Sequence, residues 1–232
     1  DYGNQLHRID IAPVYAALLA YATTQEDKDL LFAYIEGLFL HYVLDRECHP
    51  FIFAKSGFSD RPEEKAFYSV SHCEYETFLD YILGKEKRVF TYDAAKYLAL
   101  PNGQLRSISK MWEAANHQSL KNPFLAPESF YLATKDYASI LRFVNVPHFF
   151  KKGLIPFLVG KSCLPYAMLL PSKIPAEVAS IDFLNKKNGP WPNVVSGEIR
   201  HESFAELWEY AHQDFAMAYP LLQKAKAGGT VG

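Results

Sequence analysis

The pattern of apolar and polar residues predicts a chain built mainly of helices. Apolar residues recur at helical spacing over 11–23, 92–99, 104–120, 128–145, 149–159 and 203–222. The alternation expected of strands is scarce, and the proline-rich stretch 160–200 predicts a wrapping loop with short helical turns. We therefore expect an all-α fold that forms one domain over 1–232, with a small and flexible tail over 225–232.

A central helix and the segment after it contain most of the candidate metal ligands described below. The helix is predicted over 26–48 and is apolar on nearly every face, so we expect it at the centre of the fold, with Pro50 ending it. The glycine, serine and proline residues of 51–70 predict an ordered loop. A capping box that starts at Ser71 predicts the next helix over 71–83.

Composition and charge indicate a globular protein and argue against one class of function, nucleic-acid binding. With 49% hydrophobic and 22% charged residues, the chain has the balance of a globular protein. Its formal net charge of -2 and the lack of a Lys/Arg block argue against general nucleic-acid binding, so no stable nucleic-acid complex is expected. Three cysteines cannot form a fully paired disulfide framework, and the fold should therefore depend on its core.

No segment of the sequence predicts a membrane span. The stretches 30–44 and 154–170 are the most apolar, but charged residues interrupt both, and both fall short of the ~20 apolar residues that a span needs. Residues 148–152 combine aromatic rings with two lysines, which suits transient contact with a membrane surface or a phosphate; a solvated helix end is the alternative. The sequence indicates neither the compartment nor the oligomeric state.

Histidine and carboxylate pairs at helical spacing suggest a metal site. A His followed four residues later by an acid is expected roughly once by chance, and the sequence has two such pairs. His41 and Asp45 form the first pair and lie in the apolar central helix, where a buried carboxylate needs a cation, a hydrogen-bond cage or a metal. Spacing of four places both side chains on one helix face, one turn apart.

Further donors extend this pattern. His49 follows Asp45 after four more residues, and His72 with Glu76 repeats the pairing, with Asp80 on the same face. Five nitrogen and oxygen ligands exceed the need of one zinc, so we expect two ions that share Asp45 as a bridging carboxylate.

Other interpretations of the same residues remain open. Either pair can be a core histidine that is hydrogen-bonded to a carboxylate. Cys48 and Cys73 adjoin candidate ligands and could bind a structural zinc, but adjacent side chains on a helix diverge by about 100°, which favours reduced and packed thiols. Cys163 is expected in the core.

The order of these motifs resembles a known family. The series is His7, His41-x3-Asp45, His49-Pro50-Phe51-Ile52 and His72-x3-Glu76, and residues 191–207 add a Trp/Pro loop, an S-G-E turn and S-F-x-x-L. This series resembles the zinc-dependent phospholipase C family. Members of that family fold as multi-helix all-α bundles, and they also include zinc-dependent single-strand nucleases. The resemblance covers most of the chain; the ordered histidine and carboxylate series is its specific part, and the Ser203-Phe204 element is only supportive.

The resemblance implies a set of ligands and a reaction. The implied metal ligands are His7, His41, Asp45, His49, His72 and Glu76. One zinc would be held by the first three and a second by the last three, in a family whose members hold two or three ions, and Asp45 and Glu76 would be the catalytic residues. Zinc would polarise a phosphoryl oxygen and lower the pKa of bound water toward ~7.

The expected function is therefore that of a phospholipase C-like, zinc-dependent phosphoester hydrolase, acting on a small phosphoester or a phospholipid headgroup. The alternatives are a nuclease or nucleotide phosphodiesterase of the same fold, or a non-catalytic binding protein that zinc stabilises. In the family, the amino terminus and an early histidine help to hold a third zinc, and a Gly-Pro-Asp-like segment supplies an acid with a base role. No Gly-Pro-Asp occurs in this sequence, and that part of the pattern is missing. We expect that the chain is shortened at its N-terminus.

Overall fold

A computed structural model describes residues 5–6, 9–58, 61, 64–87, 94–122, 126, 128–145, 157 and 174–228. These residues are mostly helical, which agrees with the predicted all-α class. The chain divides into two compact units. The first unit consists of 1–43, 95–139 and 213–232, and the second consists of 44–94 and 140–212. The single domain expected from the sequence stays a prediction.

The described residues form seven α-helices. They are α1 (Ala12–Thr23), α2 (Lys28–Ser56), α3 (Lys65–Lys87), α4 (Ala94–Tyr97), α5 (Asn102–Ala115), α6 (Ser129–Asn145) and α7 (Phe204–Lys226). The described residues also include a π-helical turn at Asn116–Leu120 and a 3-10 turn at Ala176–Val178. Strands β1 (Trp191–Pro192) and β2 (Ile199–Arg200) pair antiparallel, with Trp191 opposite Arg200.

Several predicted helices are confirmed to within a few residues. Helices α1, α5, α6 and α7 match the helical spacing read from the sequence. The predicted helix over 149–159 lies outside the described residues apart from residue 157. Helix α7 continues to Lys226 and Ala225 is buried, so the helix includes the start of the expected tail. No helix of the described part has the combined length and apolarity to cross a bilayer.

The predicted end of the central helix at Pro50 is wrong, because α2 continues to Ser56. A proline inside a helix costs about 3 kcal/mol. Phe51 and Ile52 follow it and are both buried, and burying two large apolar side chains contributes about 1.5–3 kcal/mol each. Core packing therefore outweighs the local signal, and His49 lies inside the helix rather than at its end.

The predicted loop over 51–70 and the predicted helix start at Ser71 are also wrong. Helix α2 ends near Gly57, whose positive φ of 74° suits a helix terminus, and α3 already begins at Lys65. Ser71 is thus an interior residue of α3 and not its N-cap. The earlier start adds Tyr68 to the helix one turn before His72.

Each unit has its own apolar core. The core of the first unit includes Leu18, Phe32 and Met111, all fully buried. In the second unit, Phe51 of α2 packs edge-on against Trp191 with ring centroids 5.4 Å apart, and the Tyr75 hydroxyl of α3 donates a hydrogen bond of 2.7 Å to the Phe183 carbonyl. This second core fixes the C-terminal half of α2 and the middle of α3.

Candidate metal centre

Three side chains of the second unit converge on one point. His49 comes from α2, while His72 and Glu76 lie one turn apart on α3. The Glu76 Oε1 atom is 3.3 Å from Nε2 of His49 and 3.1 Å from Nε2 of His72. One donor atom from each residue lies within 4.8 Å of the others. Four-residue spacing brings the α3 pair together locally, whereas only packing brings His49 to it.

The charges of this group are strongly coupled. Burial opposes ionisation of Glu76, but hydrogen bonds with His49 and His72 overcome it, and the pKa of Glu76 falls to about 2. Burial likewise works against a charged His49, yet the hydrogen bond to Glu76 and the charge of Asp45 raise the pKa of His49. The Glu76 carboxylate is thus ionised and accepts hydrogen bonds from the two histidines.

The same donors fit a single divalent metal ion. Zinc binds imidazole nitrogen and carboxylate oxygen at about 2.0–2.1 Å, so two ligands of a tetrahedral site are about 3.3 Å apart. The 3.1 and 3.3 Å separations that join Glu76 to the two histidines are compatible with this value, and they are equally those of hydrogen bonds between the same atoms. Two imidazoles and one carboxylate leave a fourth position for water or a substrate, as in catalytic zinc sites.

Aromatic rings border the two histidines. The ring of Phe53 stacks on His49 at 5.2 Å with an interplanar angle of 12°. Phe58 packs against both Phe53 and Tyr68, with centroids 5.4 and 5.3 Å apart. The Tyr68 hydroxyl lies 3.1 Å from Nδ1 of His72. We call Phe53, Phe58 and Tyr68 the aromatic shell; it restricts how the two imidazoles can turn.

Asp45 lies beside the three-residue group rather than within it. Its Oδ2 atom is 3.7 Å from Nδ1 of His49, whereas Nε2 of that ring faces Glu76. Asp45 is not among the donors that converge in the described part of the chain. Its place on the far side of the ring suits a group that orients His49 and differs from the bridging role expected from the sequence.

The remaining predicted ligands are not brought into this group. His41 lies on α2 and is exposed, which differs from the buried surroundings expected of it. His7 lies outside the described residues. Within the part of the chain that the structure describes, one group of converging donors is found, and the expected pair of ions stays a prediction.

The two described cysteines do not join the site. Both are free thiols, and Cys48 is buried in the core of the second unit. Burial, with smaller contributions from Glu47 and Asp45, raises the pKa of the Cys48 thiol to about 12. Burial and the charge of Glu76 also raise the pKa of Cys73. These raised values favour packed thiols over metal-binding thiolates.

Sequence reasoning missed Tyr68 as a member of the site. The signal was present, because Tyr68 precedes His72 by the same four residues that separate His72 from Glu76. A loop over 51–70, as the sequence predicts, would give that spacing no geometric meaning, and only the earlier start of α3 places Tyr68 on the same helix face as His72.

Comparison with known proteins adds no family to this geometry. No protein-family model, curated protein or solved structure matches the chain.

Proposed function

We propose that this chain is a zinc-dependent phosphoester hydrolase in which His49, His72 and Glu76 hold the metal. The observation that carries the proposal is the convergence of two imidazole nitrogens on one carboxylate oxygen at 3.1 and 3.3 Å. Three ligands and an open fourth position are typical of catalytic zinc, whereas structural zinc sites are closed by four protein ligands.

The residues of the site have separable roles in this proposal. His49 and His72 supply neutral nitrogen donors, and Glu76 supplies the negative charge that favours a divalent cation between them. Zinc at this position would act as a Lewis acid and lower the pKa of a water toward about 7. Asp45 stays near Nδ1 of His49 and holds that ring in place.

The choice of a phosphoester is supported by the motif order rather than by the geometry. The series from His41 to Glu76 resembles the zinc-dependent phospholipase C family, and its second ligand trio corresponds to the group that converges here. A small phosphoester or a phospholipid headgroup is therefore the substrate class we propose.

Hydrolysis by the zinc-loaded protein tests the proposal. A chromogenic phosphocholine ester and a bis-nucleotide phosphodiester are assayed side by side with wild type, Glu76→Gln and Glu74→Gln. Glu74 is an exposed carboxylate on the same helix and serves as the matched control. We expect zinc-dependent cleavage of the phosphocholine ester that Glu76→Gln abolishes and Glu74→Gln retains.

The other outcomes separate the alternatives. Preferred cleavage of the nucleotide ester would indicate the nuclease or phosphodiesterase activity instead. Zinc binding without cleavage of either ester would indicate a binding protein that zinc stabilises, since ligands on two helices contribute folding free energy without turnover. A chain that binds no zinc would refute all three functions.

A further inference from the structure

Both ring nitrogens of His72 are engaged, and they face different partners. Nε2 lies 3.1 Å from Oε1 of Glu76, and Nδ1 lies 3.1 Å from the hydroxyl oxygen of Tyr68. A neutral imidazole carries its proton on one nitrogen and offers a lone pair on the other, so these partners decide which nitrogen can bind a metal.

We propose that Tyr68 is a positioning residue that prepares His72 to bind the metal through Nε2. The inference rests on the proposed metal site. The metal needs the lone pair of Nε2, so the ring proton must sit on Nδ1, where the Tyr68 oxygen accepts it. A metal-bound histidine commonly donates its second N–H in this way, which fixes both the tautomer and the ring orientation.

A tyrosine hydroxyl is suited to this task because it can act either as a hydrogen-bond donor or as an acceptor. Without metal, Nε2–H of His72 donates to Glu76 and the Tyr68 hydroxyl donates to Nδ1. With metal, Nδ1–H donates to the same hydroxyl oxygen, since a hydroxyl is both donor and acceptor and can rotate. Phenylalanine would fill the same space but would support neither arrangement.

The packing around Tyr68 holds the hydroxyl in place. Tyr68 precedes His72 by one helical turn, and the two ring centroids are 5.6 Å apart. Phe58 and Phe53 flank the tyrosine ring at 5.3 and 6.3 Å. Phe53 belongs to α2, and Phe58 follows the end of that helix by two residues. Contacts from both restrict the freedom of the Tyr68 ring to leave Nδ1.

Tyr75 provides a matched control on the same helix. It lies in the core of the second unit at 7% exposure, and its hydroxyl donates to the Phe183 carbonyl instead of to a histidine. Loss of that hydroxyl removes a buried hydrogen bond and should lower stability. It should not alter the donor set formed by His49, His72 and Glu76.

The test measures zinc affinity by competition with a chromophoric chelator, together with the melting temperature of each metal-free protein. We expect Tyr68→Phe to lower zinc affinity about 10- to 100-fold, the cost of losing a partner of a metal-bound histidine. Its metal-free melting temperature should fall less than that of Tyr75→Phe. Tyr75→Phe should keep the wild-type zinc affinity, and the visible absorption of bound Co²⁺ should change only in Tyr68→Phe.

Each contrary result has a distinct meaning. Equal zinc affinity of wild type and Tyr68→Phe would refute the role of Tyr68 while leaving the metal site in place. An equal loss of affinity in Tyr75→Phe would also refute it, because the effect would then be structural. A wild-type chain without zinc affinity would refute the metal site and the role of Tyr68 together.

Discussion

Replacing Glu76 with glutamine tests the candidate site most directly. Glutamine keeps the size of the side chain but removes the charge that Oε1 presents to Nε2 of both His49 and His72. The change deletes the anionic donor of a three-donor group. Glu76 keeps 38% of its side-chain surface exposed, so a neutral amide can be solvated there and the variant should fold.

The size of the effect follows from binding linkage. At a free zinc concentration 100 times the dissociation constant, binding stabilises the wild-type protein by about 2.7 kcal/mol. Loss of a direct ligand should lower affinity by at least about 100-fold, since loss of an indirect partner already costs about 10- to 100-fold. The same zinc concentration then stabilises Glu76→Gln by no more than about 0.4 kcal/mol.

Calorimetry in zinc-buffered solutions measures this difference. A change of 1 kcal/mol shifts the melting temperature of a chain of this size by about 2–4 °C. We expect zinc to raise the transition by about 5–10 °C in wild type and in Glu74→Gln, and by less than about 2 °C in Glu76→Gln. An equal zinc-induced rise in wild type and Glu76→Gln would refute the assignment of Glu76 as a ligand.

The remaining predictions concern an orienting residue, pH and the core. Asp45→Asn should lower zinc affinity about 10- to 100-fold yet keep one zinc per chain at saturation, as measured by elemental analysis; a fall from two zincs to none would restore the bridging role. In metal-free protein, the depressed pKa of Glu76 contributes stability above its ordinary value of 4.5 and loses it as pH falls toward about 2. The raised pKa of His49 contributes stability below its ordinary value of 6.5 and loses it as pH rises through the raised value. Melting temperatures in chelator should therefore favour wild type over Glu76→Gln most between pH 4.5 and 6.5, and parallel profiles would contradict this. Phe51→Ala should cost about 3–5 kcal/mol in denaturant unfolding, against less than about 0.5 kcal/mol for Val195→Ala at an exposed position; similar costs would contradict the assigned core.

The helix boundaries show where local sequence signals are reliable. Helix α5 was predicted from spacing that places its buried residues on one face, and tertiary contacts agree with that local preference. Pro50 and the capping box at Ser71 are also local signals. Burial of the Phe51 and Ile52 side chains overrides the helix end that Pro50 predicts. A local signal fails where core burial opposes it by more than about 3 kcal/mol.

The choice among histidines shows the same limit within the site. In a continuous helix, positions 41 and 49 are separated by eight residues and thus by about 12 Å of rise, too far for both to bind one ion. The sequence alone could not decide which of them meets α3. Burial of Cys48, Phe51 and Ile52 turns the neighbouring His49 toward His72 and Glu76.

The helical class and the pairing of His72 with Glu76 follow from local sequence signals, because helix geometry places residues four apart on one face. The sequence also indicated His49 as a third donor. Three relations come from the packing of the helices: Asp45 lies beside Nδ1 of His49, His41 is exposed, and the Tyr68 hydroxyl lies beside Nδ1 of His72. The physical reason is that these relations depend on how α2 and α3 pack in one core, and packing joins residues whose distance along the chain carries no signal of contact.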